Sequence, residues 1–197
     1  MAKAPHRKRL RRYHEAGDVH EFTFSTFLRL PILTNDGWRT NLSRAIDKAG
    51  EECRVDLIAF VYMPEHVHLL VFPHGTKKDL SNYLAALKRP VAVAVKADLQ
   101  KHNSPLMKKL TVQERPGKEV FRFWQEGAGY DRNLNTLASI TAAIDYIHLN
   151  PVRRGLVSRM DAWRWSSARF YLSEGKTIDE ALPRLTPLSA EYWQALG

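Results

Sequence analysis

Apolar positions recur with a period of two in some stretches of this chain and with a helical period in others, and their order outlines a fold. His20 to Phe27 alternates phenylalanine with polar residues at Phe22 and Phe24 before Phe27, which predicts a first strand. After Pro31 and the Asn35-Asp36-Gly37 turn signal, Leu42, Ala45, Ile46 and Ala49 fall at helical spacing and Gly50 supplies a stop, so Thr40 to Gly50 is the first helix. Arg54 to Met63 is the second strand, with Val55, Leu57, Ala59, Val61 and Met63 on one face. Pro64-Glu65 turns the chain into a third strand, His66 to Phe72, and so short a connection requires an antiparallel hairpin.

Asp79 caps a long helical stretch that begins at Leu80, is interrupted at Pro90 and resumes to about Lys101. His102 to Lys118 reads as a polar, basic loop, and Glu119 to Gln125 as a fourth strand ending in Gly127-Ala128-Gly129. In Leu134 to Asn150, a helix, Leu137, Ile140, Ile144 and Ile147 form the apolar stripe, and Pro151 is expected to end or kink it at Asn150. Val152 to Gly197 carries Trp163-Arg164-Trp165 and then a Pro-punctuated tail. The order strand, helix, strand, strand, helix, strand predicts an α+β fold: a ferredoxin-like antiparallel sheet core (βαββαβ) with additional C-terminal helices. At 197 residues the chain suits one domain, residues 18–197, preceded by an arm at 1–17.

Charge narrows the partner. Thirty Lys and Arg oppose twenty-one Asp and Glu, a formal charge of +9, which favours a polyanion and nucleic acid ahead of a membrane surface. Lys3, Arg7, Lys8, Arg9, Arg11 and Arg12 crowd a segment with almost nothing apolar, which reads as a flexible basic arm. The single cysteine, Cys53, excludes an intramolecular disulfide and a Cys-rich zinc site. No apolar run approaches membrane-crossing length and no signal-peptide core is visible, so a cytoplasmic, nucleoid-associated location is expected.

Two stretches carry candidate chemistry. His66 and His68, two apart on a strand, project from one face, close enough to share an ion through neutral imidazole nitrogens. Eight histidines make some His-x-His pair common by chance, but this pair sits in an otherwise apolar strand. In the second stretch, Tyr146 and Asn150 lie one helical turn apart on one face, about 100° from Ile147. Ser139 and Ala142 above them are small and leave room beside the tyrosine, while His148 points nearly the opposite way.

PEHVHLL after a strand, then WQEGAGYDR, then YIHLNPVRRGLV with WRWSSARFY resemble the REP-associated tyrosine transposases, single-tyrosine members of the His-hydrophobic-His transposases and nucleases. The resemblance spans roughly His20 to Tyr171. It implies His66 and His68 as metal ligands, Tyr146 as nucleophile, Asn150 as third ligand, and action on single-stranded DNA folded into short REP-type hairpins. Lys88, Arg89, Arg153 and Arg154 join the basic arm as candidate DNA contacts. The family motif often has Asn where this chain has Glu65.

The implied activity is metal-dependent transesterification of DNA. A phenol, with a pKa near 10, attacks a phosphodiester when a divalent ion neutralises the nonbridging oxygens. The product is a 5′-phosphotyrosine and a free 3′ hydroxyl, so strand transfer needs no ATP. Two His and an Asn suit Mg²⁺ or Mn²⁺. Two alternatives stand beside this: a hydrolase in which the histidine pair holds zinc, and a non-catalytic nucleic-acid-binding module. The first lacks evident further ligands, and the second lacks the Gly positions of an RNA-recognition motif in EVFRFWQ. No small-molecule substrate is indicated, and both monomer and homodimer fit.

Overall fold

The computed structural model describes residues 17–127 and 129–195; the basic cluster from Lys3 to Arg12 lies outside them. The elements run β1 (Val19–Ser25), α1 (Asp36–Cys53), β2 (Val55–Tyr62), β3 (His66–Pro73), α2 (Lys77–Lys101), α3 (Leu106–Leu110), β4 (Thr111–Arg115), β5 (Lys118–Phe121), β6 (Tyr130–Leu134), α4 (Leu137–Arg153), α5 (Ala168–Leu172) and α6 (Ala190–Ala195). β1, β2, β3 and β6 form one antiparallel sheet in the order β2-β3-β1-β6. With α1, α2 and α4 this is the expected ferredoxin-like α+β core, and β4–β5 is a separate hairpin inserted before β6.

Two apolar layers hold the sheet. Phe22, Phe24, Val67, Leu69 and Val71 pack under α1 and α2 through Leu42, Ile46, Leu84 and Leu87. On the other face Val19, Val61 and Leu70 meet Ile140, Ala143 and Ile147 of α4. β2 changes sides midway. Val55 and Leu57 belong to the first layer, but Ala59, Val61 and Met63 belong to the second. A register shift between Leu57 and Ala59 inserts one residue, and an odd insertion exchanges the two faces, so the expected single-face stripe is broken at Ile58.

Other expectations shift for local reasons. Glu119–Gln125 is not the fourth sheet strand: Lys118–Phe121 pairs with β4, Trp124 makes an isolated bridge to Thr26, and Tyr130–Leu134 fills the sheet position. The supposed loop at 102–118 contains α3 and β4. Helix α1 does not stop at Gly50 but runs to Cys53 and closes on Arg54 in the left-handed region, φ 55°. Gly50 is there for space, since a Cβ would stand 2.8 Å from the Val55 carbonyl. Thr76, not Asp79, is the N-cap of α2, with Asp79 completing a capping box three residues on. Pro90 and Pro151 sit within α2 and α4 without ending them, and Leu137 is largely exposed.

β2 lies at the sheet edge, and the C-terminal segment covers it. Tyr62 N–H donates to Trp165 O at 2.8 Å, Ser167 N–H to Phe60 O at 3.1 Å and Thr186 N–H to Leu57 O at 2.9 Å. Trp163 Nε1 and Tyr171 Oη donate to the carbonyls of Tyr62 and Ile58. Such cover removes a template for unwanted strand pairing. The two tryptophans also flank the buried guanidinium of Arg39, whose Cζ lies 5.5 and 5.2 Å from their ring centres.

Ser167 ties this cover to α4. Its Oγ accepts from Phe60 N–H at 2.9 Å and from His148 Nε2 at 2.8 Å, and donates to Phe60 O at 3.2 Å. Ser167→Ala therefore orphans a buried backbone N–H and is expected to cost about 1–3 kcal/mol, read from the urea midpoint. Burial lowers His148 to about 4 in the fold, against 6.5 for a solvated imidazole. Between these values the unfolded chain binds the extra proton, so this contribution is complete above pH ~6.5 and declines as the pH falls toward 4. Urea titrations across that range should show wild type losing more stability than His148→Gln.

Candidate active site

The site begins with the turn at Pro64-Glu65. Leu33 N–H donates to Pro64 O at 2.8 Å, and Thr26 N–H and Oγ1 both donate to Glu65 O, so the turn between β2 and β3 is clamped by the segment after β1. From it β3 runs with Val67, Leu69 and Val71 toward α1 and α2, which turns His66 and His68 to the opposite face. Both are only 5% exposed, so they are buried groups at the floor of a cleft rather than surface ligands. The cleft, about 540 Å³, is walled by β1, β6 and the end of α4.

The imidazole Nε2 atoms of His66 and His68 lie 3.0 Å apart. His66 Nδ1 is 3.1 Å from Glu65 Oε1, so it carries the proton and leaves Nε2 as a bare lone pair. His68 Nδ1 meets Thr23 Oγ1 at 2.9 Å. A hydroxyl both donates and accepts, so His68 can present either a protonated or a bare Nε2 to the cleft. Burial lowers the pKa of both rings, His68 to about 3, with the neighbouring imidazole and Arg29 adding to the effect on His68. Neutral imidazoles at physiological pH are what a metal ion requires.

Asn150 brings its side-chain amide to 3.3 Å from His68 Nε2. The atom facing His68 is Nδ2, and an end-for-end turn of the amide would bring Oδ1 there instead, completing a donor set of two nitrogens and one oxygen. The 3.0 Å between the ring nitrogens matches one edge of an octahedron with ligand distances of about 2.1 Å, which is roughly 3 Å. The residues thus fit a divalent ion, with the remaining positions open to water or phosphate. Among the described residues no cluster of three or more His, Cys, Asp and Glu side chains is arranged for a metal. Any such centre here depends on the amide.

Tyr146 is 42% exposed, and its ring stands edge-on to His68, with centroids 5.6 Å apart at 83°. The guanidinium of Arg153 lies 5.2 Å from the centre of the tyrosine ring. Arg154 Nη2 is 3.0 Å from Glu65 Oε1 and Arg29 Nη2 is 3.7 Å away, so Glu65 joins the turn before β3 to the end of the tyrosine helix. Arg132 Nη2 pairs with Glu21 Oε2 at 2.8 Å. Four guanidinium groups, Arg29, Arg132, Arg153 and Arg154, therefore border the cleft, with Glu21 as the carboxylate among its lining residues.

The structure brings together His66, His68, Tyr146, Asn150, Arg153 and Arg154. It does not bring Lys88 and Arg89 there: α2 packs on the other side of the sheet, and Lys88 Nζ lies 5.0 Å from the ring centre of Phe24. Lys3, Arg7, Lys8, Arg9, Arg11 and Arg12 lie outside the described residues. Sequence reasoning missed Arg29, Arg132, Glu21 and Thr23, and gave Glu65 no role. The β1–β6 register, with Glu21 opposite Arg132 and Thr23 opposite Tyr130, was the hidden signal.

Residues 19–115 match the sequence pattern of the family described as "Transposase IS200 like". That span includes the histidine pair and stops short of Tyr146. No curated protein matches the chain. Among solved structures, the REP-associated tyrosine transposase bound to a REP hairpin is similar over 93% of this chain and 96% of that one, at 22% identity and a TM-score of 0.66. A Deinococcus radiodurans R1 protein assigned to the transposases is 20% identical over 73% of this chain and 96% of that one, with a TM-score of 0.40. Over residues 19–115 the chain is thus similar in sequence to the IS200-like transposases, and its fold is that of the REP-associated tyrosine transposase structure.

Proposed function

We propose that this protein is a DNA transposase that cuts and rejoins single-stranded DNA at REP-type hairpins through a 5′-phosphotyrosine intermediate. One observation carries the reading: a helical tyrosine, two neutral imidazoles 3.0 Å apart and a side-chain amide meet in one cleft bordered by four arginines. The substrate class is supported by the family match, by the formal charge of +9, and by the hairpin held by the similar solved structure.

The chain's own groups divide the work. Arg29, Arg153 and Arg154 offer planar donor pairs to the oxygens of a phosphodiester. Tyr146 Oη attacks phosphorus, the bond to the 3′ oxygen breaks, and phosphorus stays esterified to the tyrosine. The phenol proton leaves as the 3′ oxygen takes one up, so the step is balanced and reversible. His66, His68 and Asn150 would hold a divalent ion, Mg²⁺ or Mn²⁺, which when bound would neutralise charge at the nonbridging oxygens. Glu65 keeps His66 in the tautomer that faces the cleft, as an outer-sphere carboxylate does.

Incubation with labelled single-stranded hairpins and Mn²⁺ tests the proposal. A covalent protein–DNA band is expected, and its absence across hairpins that bind tightly would remove the reading. Tyr146→Phe should abolish the band while binding persists within about twofold, because affinity comes from phosphate and base contacts. Stability should change by at most about 1 kcal/mol, since the lost hydroxyl is partly exposed. His68→Gln should lower Mn²⁺ affinity at least roughly tenfold by calorimetry and suppress cleavage together. Unaltered Mn²⁺ affinity would show that the histidine does not hold the ion.

A further inference from the structure

Tyr130 opens β6 on the bank of the cleft facing α4, and it is 50% exposed. Among the described residues its ring and hydroxyl have no partner, in contrast to Tyr146, which rests against His68 and Arg153. Tyr130 thus presents its ring to a cleft that is also lined by Arg29, Arg132, Arg153 and Arg154.

Its position is fixed by the backbone. Tyr130 is opposite Thr23 in the β1–β6 ladder, and Thr23 Oγ1 is the group 2.9 Å from His68 Nδ1. Gly129, at φ 72°, presses against the Thr23 carbonyl where any Cβ would collide. The strand cannot rotate the ring away, because its alternate residues are engaged behind the sheet. Asp131 Oδ1 meets His20 Nδ1 at 3.1 Å and Asn133 Nδ2 donates to Asp18 Oδ2 at 2.7 Å. Arg132, held by Glu21, lies two residues further along the cleft-facing side.

We infer that Tyr130 is a preset stacking platform for one unpaired nucleobase beside the phosphate that Tyr146 attacks. The inference rests on the function proposed above and adds a base subsite to it. An aromatic followed by a cation on one strand face matches the alternation of base and phosphate along a single strand. A base within a duplex is already stacked on both faces and cannot cover the ring, so the platform favours single-stranded DNA at this point. Any base presents a π-face, so the contact is indifferent to sequence.

The test uses the full chain and two fluorescent probes of equal charge: single-stranded oligothymidylate, and a strand of the same length made of abasic residues. Wild type should bind the thymidylate roughly tenfold more tightly than the abasic strand. Tyr130→Val keeps a good strand former and removes the ring; it should lose most of that preference while binding the abasic strand as before. Tyr130→Phe should restore it, which assigns the contact to the ring rather than the hydroxyl. Equal weakening on both probes by Tyr130→Val, or an unchanged preference, would overturn the platform. Lack of any thymidylate preference in wild type would overturn it as well. Failure of wild type to bind either strand would overturn the platform too, whereas the proposed function stands or falls separately on the covalent band with hairpins.

Discussion

The period of two along β3 is the constraint on which this molecule depends. Val67, Leu69 and Val71 enter the core under α1 and α2, and the same alternation delivers His66 and His68 to the cleft. A slip of one residue would drive both imidazoles into the apolar layer under α1 and α2 and turn Val67, Leu69 and Val71 out of it, each worth about 2 kcal/mol of burial. Core and site are thus written in one register. The neighbouring strands are held to that register by pairing: β1 brings Glu21 and Thr23 to the histidines, and β6 adds Tyr130 and Arg132.

Charge is distributed so that the imidazole pair stays neutral while four guanidinium groups border the cleft. Burial keeps His68 unprotonated down to about 3, and Thr23 and Glu65 hold the two Nδ1 atoms from behind. Glu65 reaches Arg154 at the end of the tyrosine helix, so one carboxylate orients a histidine and anchors the element that carries Tyr146. An asparagine at 65 would be one methylene shorter and would carry no charge to pair with Arg154. The glutamate therefore makes this site more tightly connected across β3 and α4.

What the sequence disclosed followed from periodicity, and what it concealed followed from tertiary pairing. The strand order and the helices of the core were legible because their apolar stripes are strong. β6 was not, since Tyr130-Asp131-Arg132-Asn133 has no apolar alternation: one face lines the cleft and the other meets Asp18 and His20. EVFRFWQ drew the strand assignment because its aromatics alternate, but Phe123 and Trp124 serve the core beyond a short hairpin. The bulge at Ile58 left no mark in composition. His66, His68, Tyr146 and Asn150 stood out through motif and helical spacing. Arg29 and Arg132 needed the fold, because only strand pairing and a turn bring them to the histidines.

The central claim is that Tyr146 becomes covalently joined to DNA, and mapping the adduct tests it most directly. Cleavage after Arg132 places Tyr130 and Tyr146 on different tryptic peptides, residues 123–132 and 133–153. Mass spectrometry of a trapped adduct should find the 5′-phosphoryl nucleotide on the 133–153 peptide, at Tyr146. A nucleotide on the 123–132 peptide would make Tyr130 the nucleophile and contradict the account.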